Sequence, residues 1–220
     1  MSQDYIDLYC ERVSPGLWAE PLNAVTNVAF LAAGLLLVIA LRYAEPAVRR
    51  DPPILGLVLL LFAVGIGSGL FHTFAVFWAM LADVFPVALF ILLYMYLALR
   101  RLIGLPLARC LIGLAVVLAL VVVMPSVFGF GISTYGFALA AMLGVGGYLH
   151  YGRRHGAGAP ILATAGLFAF SLALRTADLP LCTVLPTGTH FLWHLMNAVV
   201  LYSLTRTMMR YGAPPSPSAA

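Results

Sequence analysis

The chain contains no lysine, and only 9% of its residues are charged. A soluble domain averages about a quarter charged and about half apolar. Here 63% of residues are hydrophobic and the mean hydropathy is +1.01. No soluble domain of 220 residues could bury that much apolar surface, so lipid must be the solvent for most of it. The formal charge of +4 comes wholly from arginine. Charge this sparse, without basic grooves interleaved with exposed aromatics, excludes a nucleic-acid partner. Cysteine is scarce as well: with Cys110 set apart, Cys10 and Cys182 are too few for a four-thiolate structural site. The first twenty residues lack a basic region leading into an apolar core, so no cleavable signal is expected.

Long apolar runs are abundant. A helix that crosses a bilayer needs about 20 mostly apolar residues, and seven stretches qualify: Leu22–Tyr43, Pro53–Thr73, Phe77–Leu99, Pro106–Met124, Ile132–Tyr151, Pro160–Leu179 and Thr189–Met209. The expected fold is an all-α bundle of seven transmembrane helices. It has an acidic extracytoplasmic segment over 1–21, the helical domain over 22–211, and a disordered Pro/Ser-rich tail over 212–220. Pro53, Pro106 and Pro160 fall where a helix tolerates proline, in the first turn. Pro86 lies inside the third stretch and should kink it.

Orientation follows from the arginines. Arg42, Arg49 and Arg50, then Arg100, Arg101 and Arg109, then Arg153 and Arg154, and finally Arg206 and Arg210 all fall on one side. The other side has Arg12, beside Asp4, Asp7, Glu11 and Glu20. The positive-inside rule places the N-terminus outside and the C-terminus in the cytoplasm. A bacterial inner membrane, with the polar site towards the periplasm, is the expected location.

Ionisable groups inside spans are costly and usually functional. His72, Asp83, Asp178, His190 and His194 all fall near the outer ends of four different helices. His190 and His194 are four apart in H-F-L-W-H, which stacks two imidazoles on one helix face. His72 can supply a third nitrogen, leaving one position open for water, as in catalytic zinc sites. Phe191 stands where a soluble metalloprotease carries its glutamate, so the general base must come from elsewhere. Ser68 precedes His72 by one turn in G-I-G-S-G-L-F-H. Its hydroxyl can face the same cavity, and the glycines allow close helix approach. Arg175 and Asp178, three apart, are expected to neutralise each other as an ion pair. Glu20, Asn23 and Asn27 share one face and should point into the bundle, as interhelical hydrogen bonds or ligands. His150 and His155 are expected in solvent beside Arg153 and Arg154.

These motifs together resemble the alkaline ceramidase family, in its bacterial branch, within a superfamily of seven-helix membrane hydrolases related to adiponectin-type receptors. The resemblance rests on Y-C-E-R and A-E-P-L-N-A-V-T-N near the start, G-S-G-L-F-H, Asp83, and H-F-L-W-H, over almost the whole chain. It implies zinc on His72, His190 and His194, with Ser68 and Asp83 catalytic. It implies cleavage of the ceramide amide to a sphingoid base and a fatty acid. Eukaryotic members also bind calcium through N-terminal acidic residues. Glu11 and Glu20 match that pattern, whereas Asp7 is shifted by one residue against the following Cys and the intervening loop is shorter.

The chemistry then expected is hydrolysis of a membrane lipid amide, with zinc lowering the pKa of water towards ~7. Asp83 would serve as general base and acid and Ser68 as oxyanion donor. No obligate protein partner is expected. Two other readings stay open: a hydrolase of a different lipid amide or ester, and a receptor whose zinc is structural. A transporter fits less well, because no paired inverted repeat is visible. Cys10 and Cys182 both fall on the outer side, where an oxidising compartment permits a disulfide that ties the N-terminal segment over the site.

Overall fold

The computed structural model describes residues 5–123 and 130–212. The expected disordered tail from residue 213 onward, and the end of the fourth expected span at Met124, lie outside the described residues. Over their described residues, the seven apolar stretches are helical. A short α1 (Pro21–Thr26) leads into α2 (Val28–Arg42), and α3 (Pro46–Arg49) is a single turn. The long helices that follow are α4 (Pro52–Phe74) and α5 (Phe77–Leu97). After α6 (Leu107–Val123) and α7 (Phe130–Gly147) come α8 (Gly158–Leu181) and α9 (His190–Tyr211).

Pro21–Arg42, Pro52–Phe74, Phe77–Ile103 and Gly158–Leu181 are each long and apolar enough to cross a bilayer unaided. Helix α9 has the length, at 22 residues, but it carries His190, His194, Asn197 and three threonines or serines. Its place is inside the bundle, where Trp193, Val200, Leu204 and Met208 are buried. On the other helices large apolar side chains face outward: Leu59 is 68% exposed, Phe85 60% and Ile112 63%. Such a surface belongs in hydrocarbon rather than water.

Neighbours in sequence are neighbours in space. The chain of contacts runs α2 to α4, α4 to α5, α5 to α6, α6 to α7, α7 to α8 and α8 to α9, and α9 closes the ring on α2 and α4. Leu37, Ile54, Leu61, Leu97 and Met208 are fully buried between these helices.

Two π-helical turns, Ala98–Ile103 and Tyr148–Gly152, extend α5 and α7; no sequence pattern announced them. Arg101, in the first, makes a two-pronged pair with the buried Asp51 and donates to the carbonyl of Gly212 at 3.1 Å. The N-terminal helix is interrupted at Asn27, whose amide donates to the carbonyl of Asn23 at 2.7 Å and so competes with the backbone ladder.

Pro86 sits inside α5, as expected. It has no N–H for the carbonyl four residues earlier, that of Ala82. Gly67 of α4 faces that same carbonyl, so closely that a Cβ on Gly67 would land on it. Proline and glycine thus act together to bring α4 and α5 into contact beside Ser68 and Asp83. Gly67→Ala should force the helices apart at a cost of about 1–3 kcal/mol. The expected readout is a lower thermal midpoint in detergent, while Gly166→Ala, where a Cβ meets open space, serves as the neutral control.

Candidate metal and hydrolytic site

His72 lies in the last turn of α4, and His190 and His194 occupy the first two turns of α9. All three are buried, at 0–2% exposure. Their ring centroids are 4.6 to 5.2 Å apart, and one nitrogen from each lies within 4.8 Å of the others. That convergence is close enough for the three to hold one metal ion between them.

The hydrogen bonds around the rings indicate which nitrogens are free. His72 Nδ1 donates to Glu20 Oε2 at 2.5 Å, which leaves Nε2 as a lone pair. That atom is buried and has no partner. Thr26 Oγ1 spends its single proton on the carbonyl of Leu22 at 2.7 Å, so its 3.0 Å contact with His194 Nδ1 makes that nitrogen the donor. His194 Nε2 is then the acceptor. His190 Nδ1 is also buried without a partner. An unpaired buried polar atom costs about 1–3 kcal/mol, and a shared cation would relieve that cost. Carboxylate-backed and hydroxyl-backed imidazoles are what metal ligands require for orientation. The donor set therefore fits a metal.

Glu20 is the centre of a buried network. Besides His72 it accepts from Arg12 Nε and from Asn23 Nδ2, the latter at 3.1 Å, and Arg12 also donates to the carbonyl of His72 at 2.9 Å. Burial pushes the Glu20 carboxyl up, but the hydrogen bonds from His72, Arg12 and Asn23 outweigh it and hold it below its ordinary range. Glu20, Asn23 and Asn27 are all buried, in line with the shared inward face expected from their spacing.

Asp178 has a different role from the expected one. It does not pair with Arg175. Its Oδ1 accepts the backbone N–H groups of Thr189 at 2.6 Å and His190 at 2.9 Å, and its Oδ2 accepts that of Cys10 at 3.0 Å. These donors include the orphan amides that open α9, where an anion is favoured, and they outcompete a neighbour three residues away. Gly188, at φ +62°, makes the approach possible, because a Cβ there would collide with the Asp178 carboxylate.

Cys10 and Cys182 form a disulfide with Cα atoms 5.2 Å apart, so the N-terminal segment is tied to the loop between α8 and α9, next to the turn where His190 begins. Ile6 N–H donates to the carbonyl of Ala75 at 2.7 Å. Tyr9 stacks on His190 with centroids 3.6 Å apart. The three carboxylates considered for calcium have separate surroundings. Asp7 is exposed. Glu11 accepts the N–H groups of Leu22 and Asn23, capping α1, and Glu20 is engaged as described. Among the described residues, the three histidines are the group whose ligand atoms converge as a metal site would need. His150 is exposed and His155 half-buried, both outside that group.

Ser68 and Asp83 line one large cavity with His190 and His194. Its volume is about 610 Å³. Polar groups gather at one end; beyond them Val87, Met95, Met142, Phe168 and Leu204 make an apolar wall. The lining on α5 runs from Met80 to Ala98, about 27 Å of helix rise, comparable with the ~30 Å hydrocarbon core of a bilayer.

Tyr9, Arg12 and Thr26 join the site without a site role assigned to them from sequence. The available signal is the Y-C-E-R motif, which contains Tyr9 and Arg12.

No curated protein matches the chain. A family model described as Ceramidase matches residues 8–213, a span that holds Tyr9, the Glu20 network, Ser68, Asp83 and all three histidines, and the chain therefore belongs to the ceramidase family.

Proposed function

We propose that the chain is a zinc-dependent lipid amidase that hydrolyses ceramide, or a similar N-acyl lipid, to a free amine lipid and a fatty acid. The observation that carries this reading is that His190 and His194 line one largely apolar cavity with Ser68 and Asp83, while His72 is close enough to share a metal ion with both histidines. Ceramidase-family membership supports the substrate class.

His72, His190 and His194 would hold the ion, which when bound supplies Lewis acidity towards the amide carbonyl and brings the pKa of water towards ~7. Asp83 accepts a proton from the attacking water as its oxygen bonds to the carbonyl carbon. Asp83 then returns that proton to the nitrogen as the C–N bond breaks, so that one water is consumed and no charge is left over. Ser68 donates to the carbonyl oxygen as negative charge develops there. The apolar wall takes the acyl chain and keeps bulk water from the reacting carbon. Glu20 holds His72 in one tautomer, and Arg12 keeps Glu20 ionised. With Glu11 and Glu20 engaged elsewhere, the reading needs one metal, on the histidines.

The arginine distribution supports an orientation with the N-terminus outside and the site towards the periplasm in a bacterial inner membrane. A disulfide at the same end as the histidines agrees with an oxidising compartment there.

His194→Ala should abolish both bound zinc, by elemental analysis, and turnover of ceramide in detergent. Stoichiometric zinc with full activity in that variant would refute the assignment. Asp83→Asn should keep zinc while turnover falls by about 10²–10⁴-fold; survival of turnover would move the role of base elsewhere. Glu20→Gln should weaken zinc affinity by about 10–100-fold, read by metal titration, with helix content unchanged by circular dichroism.

A further inference from the structure

Arg175 has no role in the proposed hydrolysis, yet it lines the same cavity as Ser68, Asp83, His190 and His194. Its guanidinium carbon lies 5.2 Å from the ring centroid of Tyr135 and 5.6 Å from that of Trp193. Two aromatic faces thus position the group, and neither takes up an N–H donor. The nearest carboxylate in sequence, Asp178, is saturated by three backbone amides. Among the described residues the ion pairs are Arg12–Glu20, His72–Glu20 and Arg101–Asp51, so Asp83 makes no direct ion pair with Arg175 either. The Tyr9 hydroxyl is its polar neighbour. A guanidinium does not deprotonate in proteins, so the head of an apolar cavity carries a fixed positive fork with donors to spare.

We propose that Arg175 forms a carboxylate-binding subsite in this cavity. A planar carboxylate matches the fork with two parallel hydrogen bonds. Two sources share that chemistry: the fatty acid released by hydrolysis, and an acidic headgroup on the amine side of the substrate. The subsite names a ligand for the site of the proposed amidase, and it rests on that reading only for the reaction, because binding can be measured without turnover.

The test compares palmitic acid with methyl palmitate as competitors of a fluorescent C16 alcohol, using metal-loaded protein in lipid nanodiscs. Wild type should prefer the acid by on the order of tenfold or more. Arg175→Gln should lose that preference while zinc content and ester affinity stay unchanged. Arg175→Met, which keeps an apolar stem against Tyr135 and Trp193, serves if the glutamine variant does not fold. Equal binding of acid and ester by wild type, or an undiminished preference in the variant, overturns the subsite even if the protein proves to be an active amidase. A protein that hydrolyses nothing but shows the Arg175-dependent preference would sink the amidase reading and leave the subsite standing. In active protein the sources separate kinetically. A fall in kcat/KM for N-palmitoylglycine relative to C16 ceramide assigns the subsite to an acidic substrate headgroup. Weaker inhibition by palmitic acid, with that ratio unchanged, assigns it to the released acid.

Discussion

An imidazole buried at the end of a membrane helix has two nitrogens to satisfy. It can turn a lone pair towards a cavity only if its other nitrogen has a partner for its proton. Here that constraint is met by Glu20 for His72 and by Thr26 for His194. Glu20 is itself a charge out of water, which is tolerable only because Arg12, Asn23 and His72 surround it. The geometry of the histidine cluster therefore depends on a carboxylate from the start of the first membrane helix and an arginine from the segment before it. If that network were removed, the two helices would still pack through their apolar faces, but the rings would lose their orientation.

A second carboxylate does comparable work on the other side. Asp178 binds the first amides of α9 and the amide of Cys10, so one side chain of α8 sets where the His190 turn begins and where the N-terminal segment crosses. The disulfide to Cys182 reinforces the same crossing. Below this polar layer the bundle is held differently. Pro86 leaves the Ala82 carbonyl without its helical partner, and Gly67 makes room for it. That approach places Ser68 and Asp83 on one wall of the cavity. Most of the polar lining is thus near that wall, and the rest of the lining is largely apolar. Arg175, held by two aromatic faces with the Tyr9 hydroxyl beside it, is a charged group in that layer that makes no ion pair.

The seven apolar runs, the unusual depth of the three histidines and the positions of Ser68 and Asp83 could all be read from residue type and spacing. Bilayer thickness and the cost of intramembrane charge act on residues one at a time. The sequence could not say which groups would pair. Arg175 and Asp178 stand one turn apart and look like an ion pair, but the amides of α9 reach the aspartate first. Arg12 looks like a topological exception, but it donates to the carbonyl of His72, sixty residues away. Glu11 matches a calcium-donor pattern in sequence, and its capping of a helix is visible only in the structure. Composition and periodicity therefore determined the solvent, the helices and the conspicuous residues. Only the tertiary structure decided their partners, because a hydrogen bond selects by distance and angle after packing, and the nearest donor in space is seldom the nearest in sequence.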